Sequence, residues 1–222
     1  MNALSGWRRM LFAGVVSIML VTELVAGSVL AFTATGTASQ SPPMTIAVVG
    51  DSYTAGLYNR VVWPTLLAQR TGWSVANFAL PRTGFDADGQ GGHAFTYQVD
   101  RAQAVHPRII LVVGGLADTG LADTRRISVG AIDAINKIKI AGQRALIVGP
   151  TWYLTPVPTP VRRVSDAIQK VAADTGVPYL DALDPPWLNT SQMRDDLSGP
   201  TDEGQSVLAD KIGAWLRAEV AR

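Results

Sequence analysis

Five short runs of apolar residues, almost free of polar interruption, restrict this chain more than any other feature. They are Met44–Val49, Ser74–Phe78, Arg108–Val113, Ala145–Val148 and Val177–Leu180. A strand with one face in water alternates apolar and polar residues, whereas an unbroken apolar strand is covered on both faces. The segments between the runs carry helical periodicity. Val61–Arg70 is one, and Ile127–Ala141 repeats isoleucine at 132, 135 and 138. Val161–Asp174 places Val161, Val164, Ile168 and Val171 on one side, and Glu203–Val220 does the same with Val207, Leu208, Ile212, Trp215 and Leu216. Gly142 and Gly176 follow two of these segments, where a helix ends on a left-handed residue. Strand–helix alternation of this kind predicts an α/β fold, a three-layer α/β/α sandwich around a flavodoxin-like parallel five-stranded sheet. Ligands of such sheets sit at the carboxyl ends of the strands. The chemistry is therefore expected after Val49, Phe78, Val113 and Val148, and before the last helix.

The first 38 residues read differently. Trp7-Arg8-Arg9 precedes an apolar stretch, Met10–Phe32, whose one charged residue is Glu23. A basic start, an apolar run and then small residues describe a secretory signal peptide or a single N-terminal membrane anchor. Cleavage after Ala38, or earlier at Val29-Leu30-Ala31, and retention in the bilayer are both open on the residues alone. Arg8 and Arg9 stay inside under the positive-inside rule, so the remainder is expected to be exported, either extracellular or anchored on the outer face of the cytoplasmic membrane. Residues 39–43 form a linker, and 44–222 a single domain.

Residues 1–38 hold two of the 19 basic and one of the 18 acidic groups, which leaves 17 of each and no formal charge. No electrostatic case for nucleic acid exists at that balance. The chain has no Cys and only two His, His93 and His106. That excludes disulfides, thiolate metal sites and a cysteine nucleophile, and no pair of side chains has metal-ligand spacing. No cofactor is expected, and the domain is expected to be a monomer.

The first strand runs straight into Gly50-Asp51-Ser52-Tyr53-Thr54-Ala55-Gly56. A tight turn there lifts the Ser52 hydroxyl to the edge of the sheet and leaves backbone N–H groups free to hold an anion. Neither the phosphate-loop nor the dinucleotide glycine pattern is present. On position alone, Asp51 or Ser52 could equally serve only as a helix cap.

The heptapeptide resembles the first block of the SGNH (GDSL-type) hydrolases, in particular secreted actinobacterial members, and the likeness runs from about residue 45 to about 215. The resemblance implies that Ser52 is the nucleophile. Asn77-Phe78-Ala79-Leu80 with Gly84 resembles the second block, which implies the Gly84 and Ser52 N–H groups as oxyanion donors. Gly114-Gly115-Leu116-Ala117-Asp118 resembles the third block, with Ala117 where the family has its oxyanion Asn. Asp195-Asp196-Leu197-Ser198-Gly199-Pro200-Thr201-Asp202-Glu203-Gly204 resembles the last, with Asp196 as the triad acid and Gly199 in place of the catalytic His. A serine hydroxyl needs a base within hydrogen-bond reach. Its loss costs triad enzymes about 10⁶ in turnover, and loss of an oxyanion donor roughly 10²–10³. His93, in the Gly-rich segment Asp88–His93, is the candidate substitute base, though a solvated loop histidine accounts for it as well. His106 falls at the opposite end of the sheet, and Asp118 is expected to fix its loop. Trp152 and Tyr153, at a strand end, could stack on a sugar or acyl chain or simply pack. The resemblance implies an exported serine ester hydrolase acting on acyl or acetyl esters of small molecules or envelope glycans. The two replacements imply the alternative, a catalytically inactive SGNH fold that binds envelope carbohydrate, lipid or a partner protein.

Overall fold

A computed structural model describes residues 43–222. The expected signal or anchor, 1–38, and nearly all of the linker lie outside the described residues. Among the described residues, no helix is long and apolar enough to cross a membrane.

Five parallel strands form one sheet: β1 (Thr45–Gly50), β2 (Ser74–Asn77), β3 (Ile109–Val113), β4 (Arg144–Val148) and β5 (Tyr179–Leu180). Their order is β2-β1-β3-β4-β5, the doubly wound order of flavodoxin-like sheets. Chain direction reverses its march across the sheet between β1 and β3, whose ends align with Gly50 opposite Val113. That switch point opens a crevice at the carboxyl edge.

Six α-helices cover the sheet: α1 (Ser52–Ala55), α2 (Trp63–Thr71), α3 (Phe95–Gln103), α4 (Arg125–Ile140), α5 (Thr159–Thr175) and α6 (Asp202–Val220). Side chains alternate along a strand, so Ile46 and Val48 enter one core with Trp63, Leu67, Leu208, Ile212 and Leu216 of α2 and α6. Ala47 and Val49 enter the other, with α3, α4 and α5. Both faces of β1 are therefore buried in apolar clusters, and this explains the missing polar alternation.

Three departures from the expected pattern have local causes. Helix α3 breaks its apolar stripe, Phe95, Val99 and Ala102, with the buried Gln98, and its N-cap Ala94 offers no side-chain acceptor. Strand β5 starts late because Val177 gives its N–H to Ala172 of α5 at 2.8 Å and Pro178 has none to give. In α4 the buried face is Ile127, Ala131, Ala134, Ile135 and Ile138, while Ile132 turns outward.

Candidate active site

The turn after β1 is built by glycine and a buried carboxylate. A Cβ on Gly50 would lie 2.8 Å from Thr54 Cβ and 2.9 Å from the Val113 carbonyl oxygen, so only glycine lets the strand pass β3 this closely. Asp51 then caps the single turn of α1, with Oδ1 accepting the Tyr53 N–H at 3.1 Å. Its Oδ2 accepts the Gly115 N–H at 3.0 Å and the Leu116 N–H at 3.2 Å. One carboxylate thus ties the β1 turn to the β3 turn and sets Ser52 beside Ala117. Burial pushes the Asp51 carboxyl up to about 6, against the three N–H bonds that favour the charged form. Gly114 makes room for it at φ +113°, where a Cβ would stand 2.3 Å from Oδ2.

A second buried carboxylate fixes the loop after β2. Asp118 accepts the N–H groups of Phe85 at 2.7 Å, Asp86 at 3.2 Å and Ala87 at 2.8 Å, and burial raises its pKa. This is the loop-fixing role expected of it. Gln98 completes the frame: its Oε1 accepts the Gly50 N–H at 2.9 Å, and its Nε2 donates to Thr83 Oγ1 at 2.8 Å and to the His93 carbonyl at 3.2 Å. From sequence, Gln98 is a polar residue in an unassigned segment and nothing marks it.

These contacts surround a cavity of about 400 Å³ whose walls include Ser52, Tyr53, Arg82, Leu116, Ala117 and Ser198. Ser52 Oγ accepts the Arg82 N–H at 2.8 Å. Arg82 holds φ +61°, a left-handed conformation that costs a non-glycine residue roughly 1–2 kcal/mol. The Ser52 N–H opens α1, ahead of the first carbonyl that could accept it. Two backbone donors therefore flank the hydroxyl, from Ser52 and Arg82.

Gly84, expected as the second donor, does not serve. Its N–H is committed to the Ala87 carbonyl at 2.8 Å, and a Cβ there would lie 2.3 Å from Asp118 Oδ2. Gly84 is glycine because the Asp118 carboxylate occupies the space beside it. The N–H that meets the Ser52 hydroxyl is that of Arg82, and its sequence neighbours Pro81 and Thr83 give no warning of a positive φ.

Ala117 presents only a methyl group to the cavity. Gly199 is open: a Cβ there would meet Tyr53 Cδ1 at 4.0 Å and nothing nearer. Asp196 does not line the Ser52 cavity; it borders an adjacent recess with Ser191, Met193, Arg194 and Thr201. Its Oδ1 accepts the Ser198 hydroxyl at 2.7 Å and the Ser198 N–H at 3.0 Å. The Ser198 hydroxyl bond, first, and this N–H bond hold the Asp196 carboxyl below the usual range. Ser198 thus donates to Asp196 the hydrogen bond that an imidazole would donate there, and it lines the Ser52 cavity. A hydroxyl two residues after an Asp is an ordinary turn signal, which hides this second role in the sequence.

His93 lies apart from the Ser52 cavity. It borders a small recess with Leu80, Pro81, Thr83 and Gln90, and its ring packs edge-on against Tyr97 at 5.2 Å. That position, half-buried rather than solvated, brings no base to Ser52. Trp152 and Tyr153 stack on each other at 4.7 Å, and Tyr153 packs against the α2/α6 core. A larger cavity, about 660 Å³ between Asp86, Tyr97 and α4, shares no wall with Ser52. Among the described residues, no group of three or more His, Cys, Asp or Glu side chains could hold a metal ion.

Residues 48–207 match the sequence profile of the GDSL-like Lipase/Acylhydrolase family. The chain is similar to a GDSL lipase of Mycobacterium tuberculosis, 26% identical over 194 residues that cover 79% of this chain and 82% of that one. Its fold is similar to that of a Lactobacillus plantarum protein, with a TM-score of 0.65 at 18% identity over 81% of this chain and 99% of that one. A psychrotrophic esterase of a Pseudoalteromonas species, solved in a form inhibited by monoethylphosphonate, gives 0.63 at 16% identity, covering 80% and 99%. At these identities the two solved structures establish the α/β fold, and the profile match establishes the family.

Proposed function

The chain belongs to the GDSL-like Lipase/Acylhydrolase family, and from that premise we propose that it is an exported, slow hydrolase of acyl esters with Ser52 as the attacking group. The observation that carries this reading is the Ser52 hydroxyl, held at the switch point of the sheet by the Arg82 N–H at 2.8 Å.

The steps follow from the donors and acceptors around it. Ser52 Oγ attacks the acyl carbon, giving up the Arg82 N–H it accepts in the free protein, and that N–H turns with the Ser52 N–H to the carbonyl oxygen as it becomes an oxyanion. The Ser52 proton leaves towards the Ser198 hydroxyl, through a water, and onward to the Asp196 carboxylate. Ser198 already donates to Asp196, so its lone pairs are free to accept. Collapse of the tetrahedral species expels the alcohol, which takes the proton back. Water then attacks the acyl-Ser52 ester by the same route. The relay is weak, because a carboxylate held below its usual range accepts a proton poorly. With a methyl at 117 and no side chain at 199, the rate falls well below that of a complete triad. Residues 1–38, read as a secretory signal or an anchor, support action outside the cytoplasmic membrane.

The same Asp196 geometry favours a second reading, an inactive fold that binds an envelope carbohydrate, lipid or protein. One assay separates the two. Hydrolysis of 4-nitrophenyl acetate by the domain is compared with that of Ser52→Ala. A loss of at least tenfold supports hydrolysis, and equal rates leave the binding reading.

A further inference from the structure

Arg82 is an unusual residue to find beside the attacking hydroxyl. Its backbone adopts φ +61°, a conformation that glycine takes without strain. Its N–H needs only a backbone, so glycine would serve Ser52 equally well. The side chain is therefore not explained by the turn. Nor does the protein use it: among the described residues, its guanidinium has no carboxylate within ion-pair distance. Arg82 is exposed and forms part of the wall of the Ser52 cavity.

The other charges nearby leave room for an anion. Asp51 borders the same cavity, but its carboxylate is buried and accepts three backbone N–H groups. Asp196 is engaged by Ser198 and borders the neighbouring recess. Ser198, also on the wall, offers a neutral hydroxyl. Arg82, a wall residue of this cavity, thus carries a permanently charged fork of donors that pairs with no carboxylate of the described residues. Guanidinium of this kind pairs with carboxylate or phosphate, often through two parallel hydrogen bonds.

We propose that Arg82 is a specificity-determining residue that selects acyl esters carrying a negative group, a carboxylate or phosphate, within a side chain's reach of the carbonyl Ser52 attacks. This deepens the ester-hydrolase reading and rests on it for the chemistry, though not for the binding. The strained backbone is retained because the position must supply an N–H to Ser52 and a cation to the ligand together.

Two ester pairs of matched length test it. In the intact protein, kcat/KM for mono-4-nitrophenyl succinate is compared with that for 4-nitrophenyl butyrate, in wild type, Arg82→Gln and Arg82→Lys. The charged ester is expected to be preferred about tenfold, with the preference lost mainly through KM in Arg82→Gln, partly kept in Arg82→Lys and eroded by salt. Binding is read separately in Ser52→Ala, which cannot turn over, by amide chemical shifts with monoethyl succinate and ethyl butyrate. Selective binding of the charged ester that requires Arg82, without turnover of either substrate, upholds the anion site and overturns the hydrolase reading. Equal treatment of charged and neutral esters, or no binding of monoethyl succinate at tens of millimolar, overturns the anion site whatever the turnover.

Discussion

Restoring an imidazole at position 199 is the most direct test of how the last loop faces Ser52. The backbone at Gly199 is not left-handed, and a Cβ there meets only Tyr53 Cδ1, at 4.0 Å. Gly199→His should therefore fold without displacing backbone, losing little more than side-chain entropy, below about 2 kcal/mol. The new ring has Ser198 as neighbour on the cavity wall and Asp196 three residues before it. A positioned general base contributes typically 10²–10⁴ in rate. The lower half of that range is expected, because Asp196 Oδ1 is already shared by the Ser198 N–H and hydroxyl and is not free to orient the ring. Adding Ser198→Ala releases one of those bonds and should raise the gain. Adding Ala117→Asn restores a donor worth roughly 10²–10³ on its own, with less than multiplicative effect. The assay is kcat/KM for 4-nitrophenyl acetate from pH 5 to 9, with thermal melting to show a folded variant. A rising limb near pH 6.5, the ordinary histidine range, should appear in Gly199→His and be absent from wild type. A folded Gly199→His with the wild-type rate and profile would show that position 199 does not look onto Ser52, and the account of the missing base would fail.

Other expectations concern the frame of the site. Gln98→Ala orphans the buried Gly50 N–H and removes two further bonds; urea unfolding should register a loss of about 2–4 kcal/mol, and wild-type stability would remove Gln98 as a strut. Gly84→Ala drives a methyl into the Asp118 carboxylate, 2.3 Å away, so both melting temperature and any esterase activity should fall; an unaffected variant would contradict the packing. The Asp51 carboxyl sits higher folded, at about 6, than unfolded, near 3.8. Its contribution to stability is therefore complete below the unfolded value and is lost as pH rises through the folded one. Asp51→Asn should flatten the decline in stability between about pH 4 and 6 that Asp51 imposes, while Asp118, shifted the same way, keeps part of it; unchanged slopes in chemical denaturation would refute the assignment.

The layers of the fold were legible because dry strands leave a plain signature. Ile46 and Val48 serve one core and Ala47 and Val49 the other, so β1 has no solvent face to advertise. Helix α3 was illegible for the converse reason: its buried stripe includes Gln98, whose amide is spent on the β1 turn, and the pattern reads as polar. In the site, the Gly-Asp-Ser turn was readable as a motif. The donor beside Ser52 was not. Gly84 looks like the natural owner of a free N–H, but the Asp118 carboxylate explains that glycine, while the N–H at the hydroxyl belongs to an arginine whose backbone angle no local pattern encodes. Asp196 was identified as an acid, but its partner is Ser198, and only three-dimensional contact shows which of two neighbouring recesses each one borders.

The two buried carboxylates bear on what the cavity is for. A shift of the Asp51 carboxyl from 3.8 to about 6 corresponds to roughly 3 kcal/mol of destabilisation of the charged form near neutral pH, taking about 1.4 kcal/mol per unit. Asp118 adds to it in the same direction, and the left-handed Arg82 backbone adds strain of its own. None of these packs in either core. Asp51 serves to align Gly115 and Leu116 with the Ser52 turn, Asp118 to shape the loop that carries the Arg82 N–H, and Arg82 to meet the hydroxyl. A domain required only to be stable would fill these positions without ionisable or strained groups, since most such changes are available at little structural cost. The frame around Ser52 is thus held against the interest of stability. That cost supports the proposal that the cavity receives a ligand at the serine, with the charge at position 82 helping to choose it.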